Sequence, residues 1–580
     1  MMKKNPRVYF GIFIFSFFLL IVMLKLFSLN ELKSDKIFTK EIPALRGNIF
    51  DCNNQILATS YPYYVAYLDV EFLKKYFQPS YEIDLKILAK NFNLKINFKQ
   101  KFIKLGEAFD KEILQNKIPP DLLPFVSFNI LEKRNSIKNF GFENIIGIYR
   151  DGKGISGVEK YFDSYLDNKS NGKIKIKYSG FFTSNATISS YIPPKNGNSI
   201  KLTIDSRFQT ALYDLALFEK EKYSADAVGI IVMETNTGKI KSLITTRNWP
   251  DFIMGYIEPG SAIKPVFYAA ALDLGVITDD ATFICNGYIK PDPSLDIKIS
   301  DIHTHGLIDF YDAIAKSCNV AAVKTAKLLV DDYDTKKLYE IFKTFGFGEK
   351  TGIELPGEIK GILKKSEEWS KIDWAYLPIG YSIGVTPLQL ISAFNSVVNN
   401  GIYVSPTIIE NSKPKTYRVI TLKTSQILKK ALKKVVENGT GILAKIPNLT
   451  IYGKTGTAEK KPGTNEYIMT FEGFFEYKKQ KFTILVWVDN PKGYELSSFV
   501  SAPIFKDVVK TIVDIINKKK KKAEVITPGV VPNLLGWNLY QLGKIDKVFD
   551  IKIKGVGLYV IDQNPTPNTI SNEIQVTLGF

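Results

Sequence analysis

The chain has 580 residues, 45% of them hydrophobic and 13% aromatic, which provides for several folded domains and excludes disorder as the default. Its formal net charge of +18 could suggest nucleic acid, a membrane surface or an anionic wall polymer as partner, but the basic excess is spread along a Lys-, Ile-, Asn- and Phe-rich sequence and reads as composition, not as a binding footprint. Three cysteines, Cys52, Cys285 and Cys318, leave at least one unpaired and exclude a disulfide framework.

Residues 8–24 carry no charge, and the apolar run continues past Lys25 to Leu29, long enough to span a bilayer with Lys25 reaching the headgroups. Lys3, Lys4 and Arg7 precede it and keep the N-terminus cytoplasmic. A cleaved signal peptide is the competing reading, but no small-x-small cleavage site follows the run. Arg46-Gly47-Asn48-Ile49-Phe50-Asp51 then reads as a turn into a strand, with Asn54 at a position that tolerates positive φ. Residues 60–140 carry no motif. Gly154-Ile155-Ser156-Gly157-Val158-Glu159 precedes Tyr161, Phe162 and Leu166.

A turn at Gly197-Asn198 leads into an alternating strand, Ile200 to Asp205, and a helix from Ser206 to about Lys222. Residues 227–233 and 240–245, joined by Asn236-Thr237-Gly238, predict an antiparallel hairpin. Next comes Glu258-Pro259-Gly260-Ser261-Ala262-Ile263-Lys264-Pro265, a helix start that puts Ser261 and Lys264 on one face, as a nucleophile and its base require. Taken alone, the same spacing fits a helix start with a solvated lysine. Asp301-Ile302-His303-Thr304-His305 follows; no third and fourth ligand cluster with the two histidines in sequence, so a loop is expected and no metal.

Ser317-Cys318-Asn319 opens a further helix, with Cys318 read as a small filler. Beyond Phe345-Gly346-Phe347-Gly348, Thr351 to Glu358 and a Pro387-initiated helix, Lys454-Thr455-Gly456-Thr457 enters from Ile451-Tyr452-Gly453 as a strand. Gly473-Phe474-Phe475, residues 482–488 and 502–505 predict two strands and a closing helix. Five lysines, Lys518 to Lys522, read as a solvated linker before a last segment.

In chain order the three short motifs are Ser-x-x-Lys, Ser-x-Asn and Lys-Thr-Gly, and together with the boxes at 345–358 and 384–389 they resemble the class B penicillin-binding proteins. The Arg46 box resembles the first N-terminal box of that family, with Cys52 where Arg is usual and Asn54 where Gly is usual. The stretches 531–537 and 560–567 resemble the two ends of a PASTA module. The resemblance implies an α/β (α+β) fold: a penicillin-binding/β-lactamase-like transpeptidase domain whose antiparallel sheet is flanked by helices. Its expected divisions are a cytoplasmic stub (1–7), a transmembrane anchor (8–29), an elongated N-terminal pedestal (30–200), the transpeptidase (201–517), a Lys linker (518–522) and a PASTA-like module (523–580).

The implied activity is serine D,D-transpeptidation of peptidoglycan stem peptides on the outer face of the cytoplasmic membrane, with β-lactams as inhibitors and no cofactor. Ser261 is the implied nucleophile, Lys264 its base and Ser317 a proton relay, while Asn319 meets the substrate amide and Lys454 adds positive potential. Thr455 and Thr457 hold the terminal carboxylate, and Gly456 leaves room for the substrate. The backbone N–H groups of Ser261 and Thr457 form the implied oxyanion hole, worth about 3–4 kcal/mol per donor in comparable enzymes. Lys264 has to be substantially neutral, through burial and a neighbouring cation such as Lys454.

No glycosyltransferase domain fits the N-terminal region, so the resemblance implies a membrane-embedded glycosyltransferase partner, other divisome proteins and, with the PASTA-like tail, a septal role. The alternatives are an idle divisome scaffold or β-lactam sensor, a D,D-carboxypeptidase, and a β-lactamase. Sequence does not say whether Cys285 and Cys318 pair.

Overall fold

The computed structural model describes residues 6–31, 36–76, 78–108, 110–178, 186–461 and 463–517 and, beyond these, residues 534, 542, 550–555, 559–566, 571 and 573–579. The chain divides into two compact units, one of residues 1–47, 60–134 and 164–198, the other of residues 48–59, 135–163 and 199–580.

The first unit begins with helix α1 (Pro6–Glu31), 26 residues long, from which Phe10, Phe13, Phe15, Phe18 and Leu24 stand exposed. Among residues whose side chains are described, no helix is long and apolar enough to cross a membrane. Residues 60–134, where the sequence offered no motif, build their own core. The segment Tyr64–Asp69 pairs antiparallel with Phe102–Ala108, and Leu85 and Leu88 of helix Tyr81–Asn91 pack with Leu68, Val70, Ile103 and Leu105. A separate antiparallel sheet takes Lys36–Ile42, Gly172–Tyr178 and Ala186–Ile192. Arg46 is buried here, its guanidinium 3.8 Å from Asp167 and its backbone N–H donating to Glu132 at 2.5 Å.

In the second unit, Ile49–Phe50 pairs in parallel with Ile200–Lys201, and Asp51 ties the same stretch to helix α2 (Ser206–Lys222). Its Oδ1 accepts from the N–H groups of Asn53 and Gln55, and its Oδ2 from the Ser206 hydroxyl at 2.6 Å. Asn54 takes φ +65°, the turn conformation its residue type permits. Segment 135–163 joins the same unit because Gln209 of α2 donates to the Phe140 carbonyl, and Asn144 donates to that of Arg247. The boundary near residue 200 is therefore crossed by two earlier stretches, not cut once.

The sheet that positions the site has five strands: β1 (Ala227–Glu234), β2 (Ile240–Thr245), β3 (Ile451–Glu459), β4 (Tyr467–Tyr477) and β5 (Gln480–Asp489). Their order is β2-β1-β5-β4-β3, all antiparallel, with β3 at one edge. Strand β1 is buried along seven of its eight residues, as a strand covered on both faces must be. One face packs on Phe208, Leu212 and Ala216 of α2 and on Ile504, Phe505, Val508, Val509 and Ile512 of the C-terminal closing helix (Ser501–Asn517).

The interior explains a glycine in the middle of β1. Gly229 lies opposite Trp487 of β5, and a Cβ at 229 would stand 1.9 Å from the indole ring. The Pro387–Val398 helix is buried at every position, starts on a capping box of Thr386 and Gln389, and sends Asn395 to the Thr235 carbonyl and the Thr483 hydroxyl.

Of the C-terminal segment, three strands are described, Asp550–Gly555, Tyr559–Asn564 and Glu573–Gly579, the last lying between the other two. The Leu534 N–H donates to Gln563 Oε1 at 2.6 Å, so the two stretches read as ends of one module touch each other. Lys518 to Lys522, and most of 531–537, lie outside the described residues.

Candidate active site

Ser261 sits in a 3-10 turn (Gly260–Ile263) that runs directly into helix α3 (Lys264–Asp273). Gly260 has φ +53°, and a Cβ there would lie 2.3 Å from the Thr457 carbonyl oxygen. The serine turn is thus pressed against the free edge of β3. N–H and C=O of one strand residue point to the same side, so the Thr457 N–H is directed to that edge as well. A Cβ on Gly456 would meet Thr470 Oγ1 at 2.3 Å, the Pro259 oxygen at 2.7 Å and Ala262 Cβ at 2.8 Å. Gly456 makes room for the serine turn, which differs from the expectation that it makes room for substrate.

Ser317 occupies φ +60°, a strained setting for a residue with a Cβ, immediately before helix α4 (Asn319–Asp332). Two lysines converge on it. Lys264 Nζ donates to the Ser317 carbonyl at 2.5 Å, to Ser317 Oγ at 3.3 Å and to Asn319 Oδ1 at 2.7 Å. Lys454 Nζ donates to Ser317 Oγ at 2.8 Å and to the Thr455 carbonyl at 2.8 Å. Ser261 is half-buried, and among the described residues no hydrogen bond reaches its hydroxyl.

Both lysines are fully buried. Burial lowers Lys264 to about 8 against the opposing pull of Asp301. Lys454 is pushed well below the usual lysine range by burial and then by the charge on Lys264, with Glu472 opposing. The two ammonium groups repel each other, so each favours the neutral form of the other, and burial acts on both in the same direction. Glu472, opposite Lys454 on β4, is raised well above the carboxylate range by burial.

On the strand, the Thr455 and Thr440 hydroxyls lie 2.7 Å apart, and the Thr457 hydroxyl donates to Ser497 Oγ at 3.0 Å. The structure therefore brings all eight sequence-predicted residues, Ser261, Lys264, Ser317, Asn319, Lys454, Thr455, Gly456 and Thr457, around one centre. Asn319 is more engaged than expected: besides accepting from Lys264, its Nδ2 donates to the Ser300 carbonyl and its backbone N–H to Asp301 Oδ1. Sequence reasoning missed Glu472, Asp301, Thr440 and Ser497, none of which stands in a motif. Alternation along β4 was the one available signal for Glu472, a charge among Phe471, Gly473 and Phe474. Beside the site, a cavity of about 1080 Å³ reaches from Glu258 and Ser382 along Ala458 and Glu459 to Trp487.

The fold and the converging serine and lysines define a class, the acyl-transferring serine enzymes of penicillin-binding type. Residues 228–510 match the penicillin binding protein transpeptidase domain. The chain is similar to stage V sporulation protein D of Bacillus subtilis, 28% identical over 469 residues that cover 72% of this chain and 71% of that one. It is also similar to the peptidoglycan D,D-transpeptidase FtsI of Buchnera aphidicola, 28% identical over 539 residues that cover 86% and 92%. Its fold is similar to that of penicillin binding protein 3 of Mycobacterium tuberculosis in complex with aztreonam, with TM-score 0.61 and 21% identity across 83% of this chain and 98% of that one. The chain carries a transpeptidase domain of penicillin-binding type over residues 228–510 and resembles the class B penicillin-binding proteins.

Proposed function

We propose that the protein is a membrane-anchored serine D,D-transpeptidase that cross-links peptidoglycan stem peptides through an acyl-enzyme on Ser261, in septal wall synthesis. The observation that carries this is the meeting of Lys264 and Lys454 at one hydroxyl, Ser317 Oγ, beside the serine turn. A lysine lowered to about 8 carries a usable neutral fraction near neutral pH, which a solvated lysine does not.

The donor stem lies extended along the free edge of β3 as an added strand, its terminal carboxylate between the Thr455 and Thr457 hydroxyls. Neutral Lys264 takes the Ser261 proton as Oγ bonds to the penultimate D-Ala carbonyl carbon. The oxyanion is received by the Ser261 and Thr457 N–H groups. The C–N bond to the last D-Ala then breaks, and the departing nitrogen takes a proton passed from Lys264 through Ser317. An acceptor amine, entering by the cavity beside Glu258, displaces Ser261 by the reverse proton path.

Helix α1 supports the anchor: its 26 residues extend about 39 Å at the α-helical rise, more than the roughly 30 Å of a bilayer's hydrocarbon core. With Lys3, Lys4 and Arg7 before the apolar run of α1, the catalytic unit faces outward. Glycan strands are supplied by a membrane-embedded glycosyltransferase, and the three C-terminal strands form a PASTA-like module that contacts wall polymer or acts as a spacer. The similarity to a stage V sporulation protein and to FtsI supports the septal assignment.

The test is intact-mass analysis of the full chain in detergent with a penicillin, followed over hours beside Ser261→Ala. A persistent adduct on the parent alone is expected. Rapid loss of the adduct with drug turnover would make the protein a β-lactamase, and no adduct on folded protein would leave a scaffold.

A further inference from the structure

The segment between the serine helix and the second motif gathers four side chains that the acyl-transfer reaction does not use. Cys285 ends the strand Thr282–Cys285, Asp301 follows the strand Ile299–Ser300, His305 immediately precedes the strand Gly306–Asp309, and Cys318 caps α4. One ligand atom from each lies within 4.8 Å of all the others. Asp301 Oδ2 accepts from Cys318 Sγ at 3.0 Å and from Cys285 Sγ at 3.1 Å, and His305 Nδ1 stands 3.8 Å from the same oxygen. Tetrahedral coordination with metal bonds of about 2.0–2.3 Å requires ligand edges of roughly 3.3–3.8 Å, so small side-chain adjustments close the set.

Two further observations point to a ligand. His305 Nδ1 is buried with no hydrogen-bond partner, a position that imidazole nitrogens avoid unless something is bound. Both cysteines are fully buried free thiols, and on the membrane-anchored reading proposed above they lie outside the cytoplasm, where an unligated pair tends to oxidise. Asp301 Oδ1 is held by the Asn319 N–H at 2.6 Å, the kind of outer contact that orients a metal-bound carboxylate.

We propose that Cys285, Asp301, His305 and Cys318 form a closed tetrahedral site for one Zn2+ ion, which fastens the loop ahead of the second motif to the N-terminus of α4. Two sulfurs, one imidazole nitrogen and one carboxylate oxygen suit zinc and leave no open position, so the ion is structural and not hydrolytic. On binding, two S–H bonds break, two Zn–S bonds form and two protons leave to solvent. The loop so fixed holds Ser317, whose backbone is strained, next to Lys264. The sequence expectation of no metal rested on His303 and His305 lacking partners; beyond Asp301, four residues before His305, the two cysteine partners are 20 residues upstream and 13 downstream, where no spacing rule joins them.

The full chain, purified in detergent under reducing conditions, should carry about one zinc per chain by native mass spectrometry. After metal removal and addition of Co2+, it should show thiolate-to-cobalt charge transfer and the visible bands of tetrahedral cobalt. Titration of the metal-free chain with Zn2+ should release about two protons per ion. Cys285→Ser should lose the zinc and the charge-transfer band, and Cys52→Ser should keep both. The cobalt spectrum and proton count come from the parent protein, so they hold even where a variant does not fold. Failure of the reduced parent chain to bind Zn2+ or Co2+, or a Cys285–Cys318 disulfide in its place, overturns the proposal. Neither result bears on acylation of Ser261, which is read separately by adduct mass.

Discussion

Lys454 and Glu472 stand directly opposite each other on β3 and β4, both fully buried, and burial drives the two in opposite directions, the amine down and the carboxyl up. Their shared tendency is towards a neutral pair. Both Glu472 oxygens are buried without a hydrogen-bond partner, so the carboxyl depends on its neighbour across the ladder.

Removing Lys454 therefore isolates an acid in the core. Lys454→Ala should destabilise the folded unit by about 1–3 kcal/mol, the cost of leaving a buried polar group without its neighbour. Lys454→Ala combined with Glu472→Ala should recover part of that loss, read by denaturant unfolding as a coupling between the two sites. Simple additivity would show that the pair does not interact.

Acylation should follow the neutral fraction of Lys264. Lowered from 10.5 to about 8, it is mostly protonated at pH 6 and mostly free at pH 9. The rate of β-lactam acylation should rise about tenfold per pH unit below 8 and level off above it. Stability has a sign of its own: between about 8 and 10.5 the unfolded lysine holds a proton that the folded one has lost, so this group makes folding more favourable as pH rises through that window. Stopped-flow acylation and denaturant midpoints, each measured across pH 6–10, check the two effects.

Gly456→Ala should displace the serine turn, because the added methyl would meet Pro259, Ala262 and Thr470. A slowing of acylation of about 100-fold is expected from a shift near 1 Å, with a stability loss of about 1–3 kcal/mol from overpacking. Timed binding of a fluorescent penicillin, with melting curves alongside, separates these outcomes. Unchanged acylation would mean that turn and strand adjust without moving Ser261.

Gly229→Ala tests the sheet itself. Its methyl would enter the Trp487 ring, so a loss of about 3 kcal/mol or failure to fold is expected, while Gly229→Ala with Trp487→Leu should regain stability. Circular dichroism melting is sufficient to read it.

Much of the catalytic unit was legible because its signals are local. Ser206 to Lys222 and the 240–245 strand fall where periodicity places them, and the first hairpin turns at Asn236 to Gly238. The three short motifs meet as their chemistry demands. Other features depend on what lies across space. Glu472 gains its meaning from Lys454, 18 residues earlier on the neighbouring strand, and Gly456 from the serine turn. Residues 60–134 form a small core from scattered Leu and Ile in segments too short to show a clear period, which is why that stretch looked blank.

In the resting site the three donors of Lys264 are all directed to Ser317 and Asn319, and the Ser261 hydroxyl is left alone. A base so occupied is held in check until a guest draws one of its partners away. Molecules that drift in without engaging Asn319 or Ser317 meet an ordinary alcohol, not an activated one.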